Sequence, residues 1–390
     1  MSLSRNSPSN SGEHAVLAER IFDGHRWYAQ AAVLVREGRI AGLAPWGEVS
    51  ADWQRTQLPA GAFLAPGFID LQVNGGGGIL LNDQPTADAM RAIARAHRRY
   101  GTTGCLPTLI SDTREQMRTA IAAARSVAGR DGIVGLHLEG PFISPQRPGV
   151  HRPDRIAKPD QRDLEHLCEL AGAGRSLVTL APECVPGGFI RTLASAGVRI
   201  SIGHSEASAA QVAQAVADGA TGVTHLFNAM PPLTARAPGI IGATLAEKQL
   251  TAGLIADGIH VDPVSIRAAF AAKGGDRIAL VTDAMPTIGT EQDRFDLMGR
   301  TIKLARGRLT TEEGTLAGAH LDMASAVRNA VKLAHVPLDE ALRAASLTPA
   351  RFLGLDNERG MLVAGARADL VALTEELKVV ATWIGGSVDG

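Results

Sequence analysis

The stretch RISIGHSEASAAQVAQAVADGATGVTH, residues 199–225, contains the repeating unit that decides the fold. Two short apolar runs lead to His204 and His225, and the amphipathic segment Ala207–Val216 separates them. Strands joined through a helix are parallel, so their carboxyl ends meet at the same edge of a sheet. The unit therefore predicts two imidazoles side by side at that edge.

The same alternation extends through the middle of the chain. Eight apolar runs predict strands at Phe68–Asn74, Thr102–Pro107, Ile133–Leu138, Leu177–Leu180, Arg199–Ile202, Gly222–His225, Ala252–Ala256 and Ile278–Thr282. Amphipathic segments between them predict helices, for example at Ala87–Arg99, Arg114–Val127 and Val264–Ala272. This alternation favours an α/β fold, a (β/α)8 TIM-like barrel. An open doubly wound sheet is the alternative, weakened because Gly75–Gly78 is a plain glycine run without a GxGxxG pattern.

Both ends of the chain have a different, strand-rich texture. Residues 13–64 and 360–390 predict one small β-sandwich domain built from both termini, and residues 65–359 the barrel. Within the first segment, Ala32–Ile40 predicts two strands around a Glu-Gly turn. Residues 1–12 hold five serines, two asparagines and a proline, and they predict a disordered tail.

Composition excludes several classes of function. The 390 residues carry 39 Lys+Arg and 40 Asp+Glu, a net charge of −1, which offers no basic footprint for nucleic acid or an anionic membrane. No apolar run reaches the ~18 residues of a membrane span. Three cysteines, Cys105, Cys168 and Cys184, form no CxxC pair, which is typical of a reducing compartment. A cytoplasmic protein is expected.

Polar residues fall at the ends of the predicted strands. At or just after those ends lie Gln72, Asn74, Thr108, His137, Glu139, Glu183, His204, His225, Asp257, His260 and Asp283, with His151 one short loop away. In a barrel the carboxyl ends of all strands converge, which predicts one functional site there. Three other histidines, His97, His166 and His335, fall in segments that we expect to be exposed helices.

Glu139, His204 and His225 together have the composition of a metal site. Two histidines and one carboxylate, with water in the remaining position, are the ligand set of a catalytic Zn²⁺ site. Asp283 ends a buried strand, where a carboxylate must be paired or metal-associated. It is suited to exchange a proton with the activated water, although an N-cap role is the alternative.

Several motifs identify a family resemblance. They are Pro66–Gly75, His137–Phe142, Gly203–Ser205, Thr224–Met230, Asp257–His260 and Thr282–Met285, in that order. Their sequences closely resemble the N-acetylglucosamine-6-phosphate deacetylase family of the amidohydrolase superfamily, over essentially the whole chain after the tail. The resemblance implies that Glu139, His204 and His225 hold the metal, that Asp283 is the catalytic acid/base and that His151 contacts the substrate. If His151 lies close to the reacting carbonyl, it would also help to hold the oxyanion.

The same resemblance implies a substrate site and a partner. Substrate-binding positions would be Gln72, Asn74, Val150, His151, Asn228, Ala229, Arg236, Asp257, His260, Leu316, Ala317 and Gly318. Family members form homodimers in which the residue matching Arg236 crosses the interface. The implied partners are an amino-sugar phosphate and a second copy of the chain, with no nucleic acid and no membrane.

Two departures from the superfamily pattern bear on the metal and the sugar. Most amidohydrolases carry His-x-His on the first strand, where this chain has Gln72 and Asn74. Amides are weak ligands for first-row metals, so we expect one divalent ion per chain, with Zn²⁺ the expected metal. His320 and Asp322 stand where small polar residues are expected; they either alter sugar contacts or begin a helix.

The expected reaction is direct hydrolysis, in which metal-activated water attacks the amide of N-acetylglucosamine-6-phosphate and gives glucosamine-6-phosphate and acetate. No GxSxG motif argues for a covalent acyl-enzyme. Deacetylation of N-acetylgalactosamine-6-phosphate is the nearest alternative, because the two sugars differ in one hydroxyl contact. A non-catalytic amidohydrolase-like scaffold is a further alternative, opposed by the presence of Glu139, His204, His225 and Asp283.

Overall fold

The computed structural model describes residues 13–389, so the predicted disordered tail lies outside the described residues. Strands are β1 Glu13–Phe22, β2 Trp27–Arg36, β3 Arg39–Pro45, β4 Gln54–Gln57, β5 Phe63–Pro66, β6 Phe68–Val73, β7 Gly75–Gly76, β8 Ile79–Leu80, β9 Thr102–Ile110, β10 His137–Glu139, β11 Leu177–Leu180, β12 Arg199–Ile202, β13 Gly222–Val223, β14 Thr251–Ile255, β15 Ile278–Val281, β16 Arg294–Leu297, β17 Arg300–Ala305, β18 Arg308–Thr310, β19 Leu370–Leu373, β20 Val379–Ile384 and β21 Ser387–Asp389. Helices are α1 Ala87–Arg98, α2 Arg114–Val127, α3 Gln161–Cys168, α4 Phe189–Ser195, α5 Ala209–Ala217, α6 Gly239–Ala246, α7 Pro263–Lys273, α8 Met323–Lys332, α9 Leu338–Ala345 and α10 Leu347–Leu353. None of these helices has the length and apolar character needed to cross a membrane.

Eight parallel strands form the barrel in the order β6, β9, β10, β11, β12, β13, β14, β15. Backbone hydrogen bonds close the gap between the first and last strands. The Asp283 N–H donates to the Gln72 carbonyl at 3.0 Å, and the Asn74 N–H donates to the Ala284 carbonyl at 2.9 Å. The (β/α)8 prediction is confirmed, and this closure excludes the open-sheet alternative.

The helices begin where the sequence offers N-caps. The Thr86 and Thr113 side chains accept the N–H groups of Ala89 and Gln116 at the starts of α1 and α2. Ser208 forms a capping box with Gln211 at the start of α5. Such caps contribute about 1 kcal/mol each because they satisfy N–H groups that the helix leaves unpaired.

Two of the predicted strand runs are shortened by two or more residues at one end. The run Ile133–Leu138 shortens to β10, because Ile133 pairs with Cys105 only as an isolated bridge. The run ending at His225 shortens to β13, because His225 takes a left-handed φ of 31° that no strand accommodates. The second difference moves His225 out of the sheet and into the site.

Both termini build one continuous sheet in the order β21, β20, β19, β5, β1, β2, β3, with β4 beside β1. Alternation along its strands gives it two packed faces. Val16 and Ala18 lie in a core with Trp383, while Val371 and Leu373 pack into the barrel core. The prediction that both termini build one β domain is confirmed. The exact limits of that domain stay a prediction; in the structure, β5 extends the sheet to Pro66.

A three-stranded antiparallel insertion, β16 to β18, follows the last barrel strand and was not predicted from the sequence. We refer to residues 294–310 as the flap. Its apolar side chains Leu297, Ile302 and Leu309 share a core with Val150 and Met285. Arg300 on β17 also donates to the Val150 carbonyl. The flap therefore holds the loop that carries His151.

Candidate active site

The candidate catalytic side chains all lie at the carboxyl ends of barrel strands. Glu139 is the last residue of β10, and His204, His225 and Asp283 each follow their strand by two residues. The last three have left-handed φ values of 48°, 31° and 51°. Residues with side chains rarely adopt this conformation, and it concentrates at functional sites where surrounding structure enforces it.

Glu139, His204 and His225 converge on one point. The Glu139 Oε1 atom lies 3.2 Å from His204 Nε2 and 2.9 Å from His225 Nε2, and the two nitrogens are 3.0 Å apart. Ligands about 2.1 Å from a tetrahedral Zn²⁺ stand about 3.4 Å from one another, so this spacing is close to that of a shared ion.

The tautomer of His204 supports the same interpretation. Its Nδ1 lies 2.8 Å from the Arg147 carbonyl oxygen, which can only accept a hydrogen bond. Nδ1 therefore carries the proton, and the lone pair on Nε2 points at Glu139. This is the ring orientation that a metal-ligating histidine requires. The donor set therefore fits a divalent metal.

His151 is close enough to be a fourth candidate ligand. Its ligand atoms and those of Glu139 and His204 all lie within 4.8 Å of one another. However, the Ser111 N–H donates to His151 Nδ1 at 3.3 Å, so Nδ1 is an acceptor and the neutral ring carries its proton on Nε2. Burial first, and then the charge of His204, lower the pKa of His151 to about 4. His151 thus presents an N–H toward the cluster.

The electrostatics of the cluster keep Glu139 ionised. Burial alone raises the pKa of its carboxyl, but the neighbouring imidazoles of His151, His204 and His225 lower it well below its usual value. A buried carboxylate held in its charged form is a strong cation ligand.

Asp283 is held beside the cluster by two carboxamides. Gln72 Nε2 donates to Glu139 Oε1 at 3.0 Å and to Asp283 Oδ1 at 3.1 Å. Asn74 Nδ2 donates to the same Asp283 oxygen at 2.6 Å. Burial first, and then the Glu139 charge, raise the pKa of Asp283 to about 6. A carboxyl with a pKa in this range exchanges protons readily near neutral pH.

A cavity of about 220 Å³ opens over these groups. Many predicted residues line it: Asn74, Glu139, Val150, His151, His204, His225, Asn228, Ala229, His260, Asp283, Leu316 and Gly318. Four predicted substrate residues are outside this lining. Gln72 lies beneath it between the two carboxylates, and Ala317 is buried in the flap core. Asp257 hydrogen-bonds His260 instead, and Arg236 lies in an exposed loop.

Asp257 acts on the site through His260. Its Oδ1 atom accepts the N–H groups of Ile259 and His260, both at 2.8 Å, and its Oδ2 lies 2.6 Å from His260 Nδ1. These bonds fix the His260 ring on the cavity wall. Burial opposes ionisation of Asp257, but the His260 hydrogen bond and charge lower its pKa below the ordinary value.

Sequence reasoning missed several lining residues. Ile110, Met285 and Thr315 also contact the cavity. Met285 belongs to the Thr282–Met285 motif, so its position two residues after Asp283 could have predicted that it lines the cavity. Thr315 reaches the cavity only because the flap folds back, which no local pattern reveals.

Three histidine assignments need correction or refinement. His97 lies on a helix as predicted but is fully buried, with Nε2 3.0 Å from the Gly75 carbonyl oxygen, so the exposed assignment is wrong. His137 is also buried below the cavity and contacts the Thr179 hydroxyl at 2.8 Å. Asp322 caps α8 through the Ser325 N–H, which confirms its helix-start role, and His320 contacts Thr287.

A barrel with histidines and carboxylates gathered at its strand ends, joined to a β domain from both termini, defines a hydrolase of the metal-dependent barrel class. Residues 63–388 match the model described as the amidohydrolase family, and the chain belongs to that family.

The individual relatives within this family are named as deacetylases of amino-sugar phosphates. The chain is 40% identical to the N-acetylgalactosamine-6-phosphate deacetylase of Shewanella sp. (strain ANA-3), covering 92% of this chain and 91% of that one. It is 34% identical to the N-acetylglucosamine-6-phosphate deacetylase of Haemophilus influenzae, covering 91% and 93%. The structure of N-acetylglucosamine-6-phosphate deacetylase from Pasteurella multocida superposes with a TM-score of 0.93 at 33% identity, over 97% of this chain and all of the other. A Mycobacterium smegmatis deacetylase mutant, solved with N-acetyl-D-glucosamine-6-phosphate, gives 0.89 at 33% identity over 97% and 99%.

Proposed function

We propose that this chain removes the N-acetyl group of N-acetylglucosamine-6-phosphate by hydrolysis, giving glucosamine-6-phosphate and acetate. The observation that carries the proposal is the placement of Asp283 beside the Glu139–His204–His225 cluster, with Gln72 joined to both carboxylates. The test is acetate release from this sugar phosphate by protein reconstituted with Zn²⁺.

The proposed cofactor is one Zn²⁺ ion per chain, held by Glu139, His204 and His225. When bound, such an ion polarises a carbonyl and lowers the pKa of water, which supplies both the electrophile and the nucleophile of amide hydrolysis. Gln72 already donates to Glu139 and Asp283 and is a neutral, weak ligand, so a second ion at the first strand is not part of the proposal.

Proton transfer is assigned to Asp283. As a carboxylate it takes a proton from the attacking water, and as an acid it returns that proton to the departing amine nitrogen. Asn74 and Gln72 hold its Oδ1 atom, which leaves Oδ2 available for the transfer. The His151 N–H donates to the oxygen that becomes negatively charged as the carbonyl is attacked.

The cavity supports a substrate of monosaccharide size. Its volume of about 220 Å³ is below the ~300–1,000 Å³ typical of drug-sized ligands. Val150, Leu316 and Gly318 provide walls, and Asn228 and His260 provide polar groups for sugar hydroxyls or phosphate. Val150, Ala229, Leu316 and Gly318 are therefore proposed as substrate contacts through shape.

A homodimer would complete the phosphate site. Arg236 is exposed in the loop 231–238 and lies outside the cavity of its own chain, as expected if it reaches the site of a second copy. A guanidinium fork suits a phosphate group. A cytoplasmic location is proposed on the three cysteines, all of which are free thiols.

N-acetylgalactosamine-6-phosphate is the second candidate substrate. The Shewanella relative named for that sugar is 40% identical, above the 34% of the Haemophilus relative named for the gluco epimer. The epimers differ at one hydroxyl, so kcat/KM measured on both sugar phosphates under the same conditions assigns the preference. A non-catalytic scaffold is opposed by the assembled acid/base and ligand set, and metal content with acetate release tests it directly.

A further inference from the structure

A second and larger cavity lies at the opposite end of the barrel from the active site. We call it the base cleft; its volume is about 760 Å³, against about 220 Å³ for the site cavity. Its walls come from the segments before β10 and β11, the segment after α10, and the turns β2–β3 and β20–β21. The cleft therefore lies between the barrel and the terminal sheet.

Five arginines line this cleft: Arg39, Arg125, Arg175, Arg359 and Arg367. Only two carboxylates, Glu37 and Glu358, share the lining. The nearby Asp369 is divided between two guanidinium groups, since it pairs with Arg359 and accepts from Arg367 Nε at 3.0 Å. Positive charge thus exceeds negative charge along the wall.

The arginines are incompletely neutralised. Among the described residues, Arg39 Nη1 donates only to the Gly365 carbonyl, at 2.8 Å, and Arg125 has an exposed partner, Glu169, at 3.4 Å. The Arg175 guanidinium has no hydrogen-bond or ion-pair partner within residues 13–389. Burial, and then the Arg175 charge, lower the pKa of neighbouring Arg199. Like charges therefore crowd one end of the molecule, and a bound anion would relieve their repulsion.

We infer that the base cleft binds a small anion bearing at least two phosphate-type negative charges. Guanidinium forks recognise phosphate oxygens bidentately, and several on one wall select for multivalent anions. The volume is that of pockets for ligands of nucleotide size, and Leu355 and Ile384 add apolar wall. The shared chemistry is a diphosphate group, supplied either by inorganic pyrophosphate or by a nucleoside diphosphate. This site is independent of the deacetylase reaction.

Isothermal titration calorimetry with pyrophosphate and with ADP tests the inference. We expect one site per chain, with affinity that falls as salt is added. ADP binding more tightly assigns a nucleotide to the cleft, whereas equal or weaker ADP binding assigns the inorganic anion. Heat that never exceeds the dilution control at millimolar concentrations of both probes would overturn the proposal.

Substitutions separate the base cleft from the active site. The double variant Arg125→Ala, Arg175→Ala should weaken binding at least about tenfold, because it removes two guanidinium partners. Both side chains are exposed, so the fold should be unaffected, and Arg175→Glu alone provides a second variant. Arg118→Ala is the matched control, since Arg118 is exposed on the same helix as Arg125 but outside the cleft. Equal affinity in the cleft variants and the control would contradict the assignment.

Discussion

Backbone conformation at single residues sets the geometry of the candidate site. His204, His225 and Asp283 each take a left-handed φ two residues after a strand ends, which turns their side chains into the barrel mouth. The sequence placed these residues at strand ends, because apolar runs show where strands stop. It did not reveal the roles of Gln72 or the tautomer of His151, since both depend on distances across the barrel.

The acid/base role of Asp283 predicts a specific loss in Asp283→Asn. An amide cannot carry the proton, so kcat should fall about 10²–10⁴-fold. Metal content should stay unchanged, because Asp283 is outside the proposed ligand set. Steady-state kinetics and elemental analysis on the same preparation check this, and a variant that keeps more than about a tenth of kcat would contradict the role.

Metal stoichiometry is a second prediction at this scale. Gln72 on β6 and Asn74 just after it both donate to carboxylates, so activity should saturate at one equivalent of added metal. Elemental analysis of chelated and reconstituted protein measures this. The pair Gln72→His, Asn74→His should gain affinity for a second ion. Two equivalents per wild-type chain, both needed for full activity, would contradict the single-metal proposal.

At the scale of elements, one buried carboxylate joins the first and last strands of the barrel. Asp70 on β6 accepts the N–H groups of Gln72 and Thr282, both at 3.2 Å, and the Thr282 hydroxyl at 2.5 Å. Burial raises the pKa of Asp70 to about 7, although the Thr282 hydrogen bond opposes the shift. Thr282 precedes Asp283, so this contact also fixes the backbone position of Asp283, the proposed acid/base.

The raised pKa of Asp70 predicts a pH dependence of stability. The pKa of Asp70 is higher in the folded chain than the ordinary 3.8. Its contribution to the free energy of unfolding is therefore fully present below about pH 4 and is lost as pH rises to about 7. Between pH 5 and pH 8 the loss is about 3 kcal/mol, because about two pH units lie between pH 5 and the folded-state pKa, at about 1.4 kcal/mol per unit. The free energy of unfolding of Asp70→Asn, measured in urea, should therefore rise relative to that of wild type as the pH increases from 5 to 8.

The control for this experiment is Asp88→Asn, whose side chain is 93% exposed. Its stability relative to wild type should be the same at both pH values. If the difference between Asp70→Asn and wild type were also independent of pH, Asp70 would titrate normally and the account of its burial would be wrong.

Elements were predicted well where periodicity is regular and poorly where it is not. All eight barrel strands and helices such as Arg114–Val127 follow from apolar runs and caps. The flap strands Arg294–Leu297 and Arg308–Thr310 have only four and three residues, so any alternation in them is too brief to predict a strand. The apolar residues of the flap are recognisable as a core only from their packing against Val150 and Met285.

At the scale of the whole molecule, the terminal sheet and the barrel depend on each other. The strand-rich ends of the sequence predicted a joint β domain, but they did not predict that Val371 and Leu373 place one face of its sheet in the barrel core. The base cleft between the two could not be predicted, because its arginines are scattered between positions 39 and 367.

The proposed dimer makes a prediction about Arg236. Arg236→Ala should raise KM for the sugar phosphate by about tenfold or more and leave KM for the unphosphorylated sugar nearly unchanged, because the guanidinium is assigned to the phosphate alone. Arg306→Ala, which removes another exposed arginine outside the cavity, is the control. Equal effects on both substrates would remove Arg236 from the phosphate site.

The most direct test of the whole account is acetate release by Zn²⁺-reconstituted protein supplied with N-acetylglucosamine-6-phosphate and, in parallel, with N-acetylgalactosamine-6-phosphate. The account predicts one acetate per sugar phosphate consumed, activity lost on chelation and restored by metal, and higher kcat/KM on the gluco epimer. A preference for the galacto epimer would replace the substrate within the same mechanism. Metal-loaded protein that released no acetate from either sugar phosphate would contradict the account.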